Sequence, residues 1–146
     1  MSNVNKLLKC KATEIWNIAP DETVYRALEV MKEKNIGALV VVKDEQLIGI
    51  LSERDYARKI TLESKSSKET LVMDIMTRRV CYTTPEQNIE ECMVLMTEKK
   101  IRHLPVLENN KLIGMISLGD VVKEIIQDQK HKIKELENYI TWEESY

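Results

Sequence analysis

The sequence contains one phrase twice. "LIGILSERD" at residues 47–55 returns as "LIGMISLGD" at residues 112–120. Residues 15–60 lie over residues 80–125 without a gap, and 13 of the 46 aligned positions are identical, including Pro20/Pro85, Met31/Met96, Leu39/Leu104, Gly49/Gly114, Ser52/Ser117 and Asp55/Asp120. A chain of 146 residues duplicated in this way is one supersecondary unit used twice. A unit of roughly 46 residues leaves too much apolar surface in water to stand alone. The expected solution is two copies covering each other as a pseudo-twofold pair.

Each copy parses alike. "APDETVYRALEVMKEKN" opens with Pro20 and acids, then places Val24, Leu28 and Met31 on one helical face; the second copy repeats the stripe with Ile89, Met93 and Met96. "ALVVVKDEQLIGILS" reads as two short buried strands around a polar turn at Asp44–Gln46, and "LPVLENNKLIGMIS" does the same around Asn109–Asn110. A short leading strand before each proline ("EIWNI", "VCYTT") and a second helix after Ser52 and Ser117 complete β-α-β-β-α in each copy. The spacing therefore predicts an α/β (α+β) fold of tandem repeats. Repeat 1 occupies 10–62, a linker with a short helix ("LVMDIM") 63–79, repeat 2 80–127, and an amphipathic C-terminal helix and tail 128–146.

That last helix carries Val122, Ile126, Gln129, Ile133, Leu136 and Ile140 at alternating four- and three-residue steps, a heptad-like seam. An apolar stripe beyond the repeats has to cover something, and the expected partner is a second subunit. The tip, "TWEESY", is expected to fray.

Charge and cysteines narrow the function classes. A net charge of −2 gives no electrostatic reason to expect a nucleic acid or an acidic membrane as partner. The three cysteines, Cys10, Cys81 and Cys92, share no metal-ligand spacing, and Cys92 stands where the first copy has Ala27, as a small apolar side chain would. There is no signal-peptide-like apolar run at the start and no stretch of roughly 18 apolar residues, so the expected location is the cytoplasm.

The chemistry sits at the end of the repeated phrase. Gly49 and Gly114 lie where a backbone or a ligand can approach a strand closely. Ser52 and Asp55, like Ser117 and Asp120, form S-x-x-D at a helix start, which is a capping-box variant. The same carboxylate at a cleft also matches the two donors of a ribose diol, and the helix N-terminus suits a phosphate. Both readings stand on the residues alone. Arg54 lies beside Asp55. Arg102 and His103 precede a buried strand, where the first copy has only Gly37 and Ala38, so the two copies are not chemically equal.

The paired units, each closing on G-x-x-S-x-x-D, resemble the cystathionine β-synthase (CBS) domain pair, or Bateman module. "IGALVVV", "GILSERDYARK", "IRHLPVL" and "GMISLGDVV" are similar to phrases of stand-alone CBS-pair proteins, and the likeness covers about residues 10–142. The resemblance implies a regulatory pocket between the copies for an adenosine-containing ligand such as AMP, ADP, ATP, NAD or S-adenosylmethionine. It implies that Asp55 and Asp120 hold ribose, and that Ser52 and Ser117 contact ribose or phosphate. Arg54, Arg102 and His103 would face phosphates, and Gly37, Ala38 and Thr83 would surround adenine. It also implies a homodimer. One departure stands out: "SLGD" replaces "SERD" in the second copy, so Asp120 has no adjacent arginine.

No nucleophile–base pair or metal cluster is legible, so the expectation is a non-enzymatic ligand sensor. The alternative is a structural or interaction dimer that takes no ligand and uses S-x-x-D only to cap helices.

Overall fold

The computed structural model of the protein describes residues 2–10 and 15–144. In the first repeat β1 (Asn17–Ile18) runs parallel to β2 (Ala38–Lys43), and β2 pairs antiparallel with β3 (Gln46–Ser52), giving a sheet of order β1-β2-β3. Glu14 of the expected strand "EIWNI" lies outside the described residues, and the paired part is Asn17–Ile18 alone. In the second repeat β4 (His103–Glu108) and β5 (Lys111–Ser117) form a two-stranded sheet. Its leading segment is reduced to a single parallel bridge, Thr83 to Val106.

Both hairpins turn on two residues with left-handed backbone. Asp44 and Glu45 have φ of 51° and 66°, Asn109 and Asn110 of 52° and 63°. These are the signs of a type I′ turn, whose twist matches the flanking strands. Gln46 is already in β3, paired with Lys43, so the first turn is one residue tighter than its composition suggests.

Helices α2 (Val24–Lys34) and α5 (Ile89–Lys99) begin later than Pro20 and Pro85. Thr23 Oγ1 accepts from the Arg26 N–H and Asn88 Oδ1 from that of Glu90, so the start is set by the cap and not by the proline. Both end on a left-handed residue, Asn35 and Lys100. The next N–H then reaches back five residues, Ile36 to the Met31 carbonyl and Ile101 to that of Met96, each at 3.0 Å. The duplication is thus kept at the level of individual caps.

After β3 the copies diverge. α3 (Glu53–Tyr56) runs into a π-helical turn, Ala57–Thr61, whereas α6 (Leu118–Glu144) continues for 27 residues. Asp55 and Ile60 are both buried, five positions apart, a spacing that a widened turn can turn inward together. Helix α6 runs through Glu144, so Thr141–Glu144 of the expected frayed tip are helical; Ser145 and Tyr146 lie outside the described residues.

The chain divides into two units, Glu14–Tyr82 with Leu107–Gly114, and Met1–Thr13 with Thr83–Val106 and Met115–Tyr146. The core of the former gathers Val24, Ala27 and Met31 of α2, Leu39, Val41 and Leu51 of the sheet, and Val72 and Ile75 of the short helix α4 (Val72–Ile75). In the latter Ile89, Cys92 and Met96 are buried with Leu104, Val106, Ile116 and Val121. Burial pushes the Cys92 thiol up, only partly offset by its contact with Thr83 Oγ1 at 3.3 Å, so it stays a protonated, apolar filler.

The sequence did not announce α1 (Val4–Cys10), whose Val4, Leu7 and Leu8 are buried. It is fastened to α6 by Ser2. The Ser2 hydroxyl donates to Glu124 Oε1 at 2.9 Å and to Asp128 Oδ1 at 3.0 Å. Burial raises the Asp128 pKa, but the Ser2 hydrogen bonds and nearby Lys6 outweigh it and hold the carboxyl below the usual range. A depressed folded-state pKa contributes stability above the unfolded value, about 3.9, and loses it as pH falls through the folded value. Asp128→Asn should therefore lower the urea midpoint at pH 7 and converge on the parent in acid, once pH has fallen below the depressed folded-state pKa. An equal loss at both pH values would show that the charge is not what holds α1.

Candidate ligand-binding groove

Both S-x-x-D sequences fold as reciprocal caps. The Asp55 N–H donates to Ser52 Oγ at 3.2 Å while Asp55 Oδ2 accepts from the Ser52 N–H at 3.0 Å. The second copy repeats this, Asp120 N–H to Ser117 Oγ at 3.1 Å and Ser117 N–H to Asp120 Oδ2 at 2.9 Å. Each helix start is also tied to the preceding strand entry, the Glu53 N–H to the Gly37 carbonyl at 3.1 Å and the Leu118 N–H to the Arg102 carbonyl at 2.8 Å.

The surroundings of the two carboxylates differ. Asp55 is only 8% exposed. Its Oδ1 accepts from Thr77 Oγ1 at 3.2 Å and faces Lys59 Nζ at 3.3 Å, and that ammonium also donates to the Ile75 carbonyl at 2.8 Å. Asp120 is half-buried. Arg54 points to solvent, Ala38 and Thr83 are buried, and the Thr83 N–H donates to the Pro105 carbonyl at 2.9 Å. Gly37 lines a separate hollow with Met31, Lys32, Asn35 and Glu53.

Three of the expected residues do meet. Arg102, His103 and Ser117 line an open groove of about 770 Å³ beside the first three turns of α6. Leu118, Val122 and Ile126 supply apolar wall, and Lys123 and Lys130 add cationic groups along the same helix. No carboxylate is among the lining residues. Gly119 leaves room: a Cβ there would meet nothing closer than Ser117 Oγ at 3.7 Å. The two lysines were not among the expected residues. Their signal was the continuation of the helix start, since Gly119, Lys123, Ile126 and Lys130 fall on one stripe.

A groove of this size, part apolar and part cationic, falls within the range of small-molecule sites, roughly 300–1,000 Å³. It offers an aliphatic wall and a cationic, anion-binding rim, and nothing in its lining repels a phosphate. Among the described residues no His, Cys, Asp or Glu group is arranged to hold a metal ion, and no helix is long and apolar enough to cross a membrane.

Comparison with known proteins gives this arrangement its relatives. The family model for the CBS domain matches residues 12–62 and 72–127. The chain is 45% identical over 125 residues to the mitochondrial CBS domain-containing protein CBSX3 of Arabidopsis thaliana, covering 82% of this chain and 61% of that protein's length. It is similar to the solved structure of a protein with CBS domains from Burkholderia ambifaria, with a TM-score of 0.84 and 50% identity over 88% of this chain and 96% of that one. The CBS-domain containing protein ATU1752 from Agrobacterium tumefaciens superposes with a TM-score of 0.80 at 33% identity, over 84% of this chain and 98% of that one. This chain belongs to the CBS-domain family and carries the domain as a tandem pair.

Proposed function

We propose that the protein is a non-enzymatic, dimeric regulatory module that binds an adenosine-containing nucleotide (AMP, ADP, ATP or NAD). The observation that carries this reading is the groove beside α6, where Arg102, His103, Lys123 and Lys130 surround an apolar wall with no lining carboxylate. Phosphate would lie against Arg102, the better fork, with the lysines neutralising remaining charge. Ser117, with Asp120 next to it, would meet the ribose. In the first repeat the corresponding set is Gly37, Ser52, Arg54 and Asp55, where a ribose would have to displace Thr77 and Lys59 from Asp55. The second repeat, where Arg102, His103 and Ser117 line one groove, is the stronger candidate. Ala38 and Thr83 would act through the backbone, because their side chains are buried.

A second reading has its own observation: both S-x-x-D carboxylates already serve as caps, as they would in an interaction module without ligand. Thermal melts with AMP, ADP, ATP and NAD separate the two. At 100 times its dissociation constant, a bound nucleotide contributes about 2.7 kcal/mol. At least one of the four should raise the midpoint, and Arg102→Ala should abolish the rise while leaving the unliganded stability within about 0.5 kcal/mol of the parent, as for a surface substitution. If none of the four shifts the midpoint, the nucleotide reading fails.

A further inference from the structure

We propose that the exposed half of α6 pairs antiparallel with the same segment of a second copy of this chain. This deepens the dimer proposed above and does not depend on the nucleotide. Helix α6 has two faces. Val121 is buried, and Glu124, Ile125 and Asp128 are half-buried, so this face packs on its own unit. The apolar seam lies one residue further round. From Gln129 to Trp142 every residue is exposed, a projecting rod of about 20 Å at 1.5 Å per residue. Its seam residues Ile133, Leu136 and Ile140 are 54%, 62% and 55% exposed. A single helix of this length is marginal in water and gains nothing from a stripe that stays wet.

Spacing and charge name the occupant. Ile126, Ile133 and Ile140 recur every seven residues, and Val122, Gln129 and Leu136 form the companion series, the two rows of a helix–helix seam. The flanks are polar in blocks: Lys130, Lys132 and Lys134 come first, then Glu135 and Glu137. A parallel pair sets the basic block level with its twin and Gln129 against Gln129 inside the seam. The antiparallel pair sets basic against acidic. With Ile133 opposite Leu136 of the second copy, both central layers are apolar, and Lys130 lies beside Glu137 of the second copy twice, by symmetry. The complement of this rod is the rod itself, reversed.

Site-directed cross-linking tests the geometry. Full-length chains with Cys10→Ser and Cys81→Ser, one population carrying Ile133→Cys and a differently tagged one Leu136→Cys, are mixed and oxidised with glutathione disulfide. The mixed disulfide should exceed each self-linked product at least about fivefold, and His131→Cys, on the opposite face, should link no faster than chance collision. Lys130→Glu or Glu137→Lys in both populations should each lower the mixed yield severalfold, and the two together should restore it. Predominant Ile133→Cys self-linking overturns the antiparallel order. Linking no better than the His131→Cys control overturns the pairing. Sedimentation of the unmodified chain reports the dimer separately: a dimer without the mixed disulfide refutes this interface alone, and a monomer refutes both.

Discussion

Asp55→Ala should lower the thermal midpoint by about 10 °C, a loss of about 3 kcal/mol at this chain length. The substitution removes more than a helix cap. A cap of this kind is worth about 1 kcal/mol, but the Asp55 carboxylate also accepts from Thr77 Oγ1 and the Ser52 hydroxyl and faces Lys59. Hydrogen bonds to a charged group contribute about 1.5–3 kcal/mol, and their orphaned partners are left in a poorly solvated place. Lys59 is 40% exposed and can turn to water, so its ion pair adds little. Asp120→Ala should cost less, because Asp120 is half-buried and water can replace part of what is lost. Urea melts of the two variants beside the parent give the comparison. If Asp55→Ala and Asp120→Ala lose the same small amount, near 1 kcal/mol each, the Thr77 link has no energetic weight.

That asymmetry marks the limit of what the sequence discloses. The duplication, the hairpins and the short helix at Val72–Ile75 were legible because each rests on local chemistry: short apolar runs that read as buried strands, and residues such as Asn109 and Asn110 that accept left-handed backbone. The family resemblance was legible in the paired G-x-x-S-x-x-D phrases. Whether a carboxylate in that phrase caps or binds was not, because both roles need the same residues at the same spacing. Of the groups around the Asp55 carboxylate, Lys59 stands at the local i+4 position, whereas Thr77 lies 22 residues away and reaches it through tertiary contact. The π-helical turn after Tyr56 was hidden for a similar reason, since it follows from the need to bury Ile60. Helix α1 was overlooked because seven residues hold too few turns to show a period. In the groove, Arg102, His103 and Ser117 came from the sequence, and Lys123 and Lys130 only from seeing which way α6 leaves β5.

Gly49→Val should destabilise the protein still more, by at least about 3 kcal/mol, the upper range for overpacking, and Gly49→Ala by about 2 kcal/mol. A Cβ at Gly49 would sit 2.6 Å from Met76 Sδ, 3.0 Å from Met76 Cγ and 3.1 Å from the Thr77 carbonyl oxygen. The methionine chain is flexible and could swing aside, although it is itself buried. The carbonyl cannot easily move. Thr77 and Ile50 exchange two backbone hydrogen bonds, Ile50 N–H to Thr77 O at 3.0 Å and Thr77 N–H to Ile50 O at 2.9 Å, which press this segment against β3. Glycine is required at 49 by close approach of another backbone, the structural one of the two reasons a strand glycine suggests. The same displacement would strain the Thr77 hydroxyl's bond to Asp55, so the two sites are coupled. A double variant, Gly49→Ala with Asp55→Ala, should therefore lose less than the sum of the two single losses, with an interaction energy of at least about 0.5 kcal/mol. Strict additivity would mean that the Met76–Thr77 segment yields without disturbing the carboxylate.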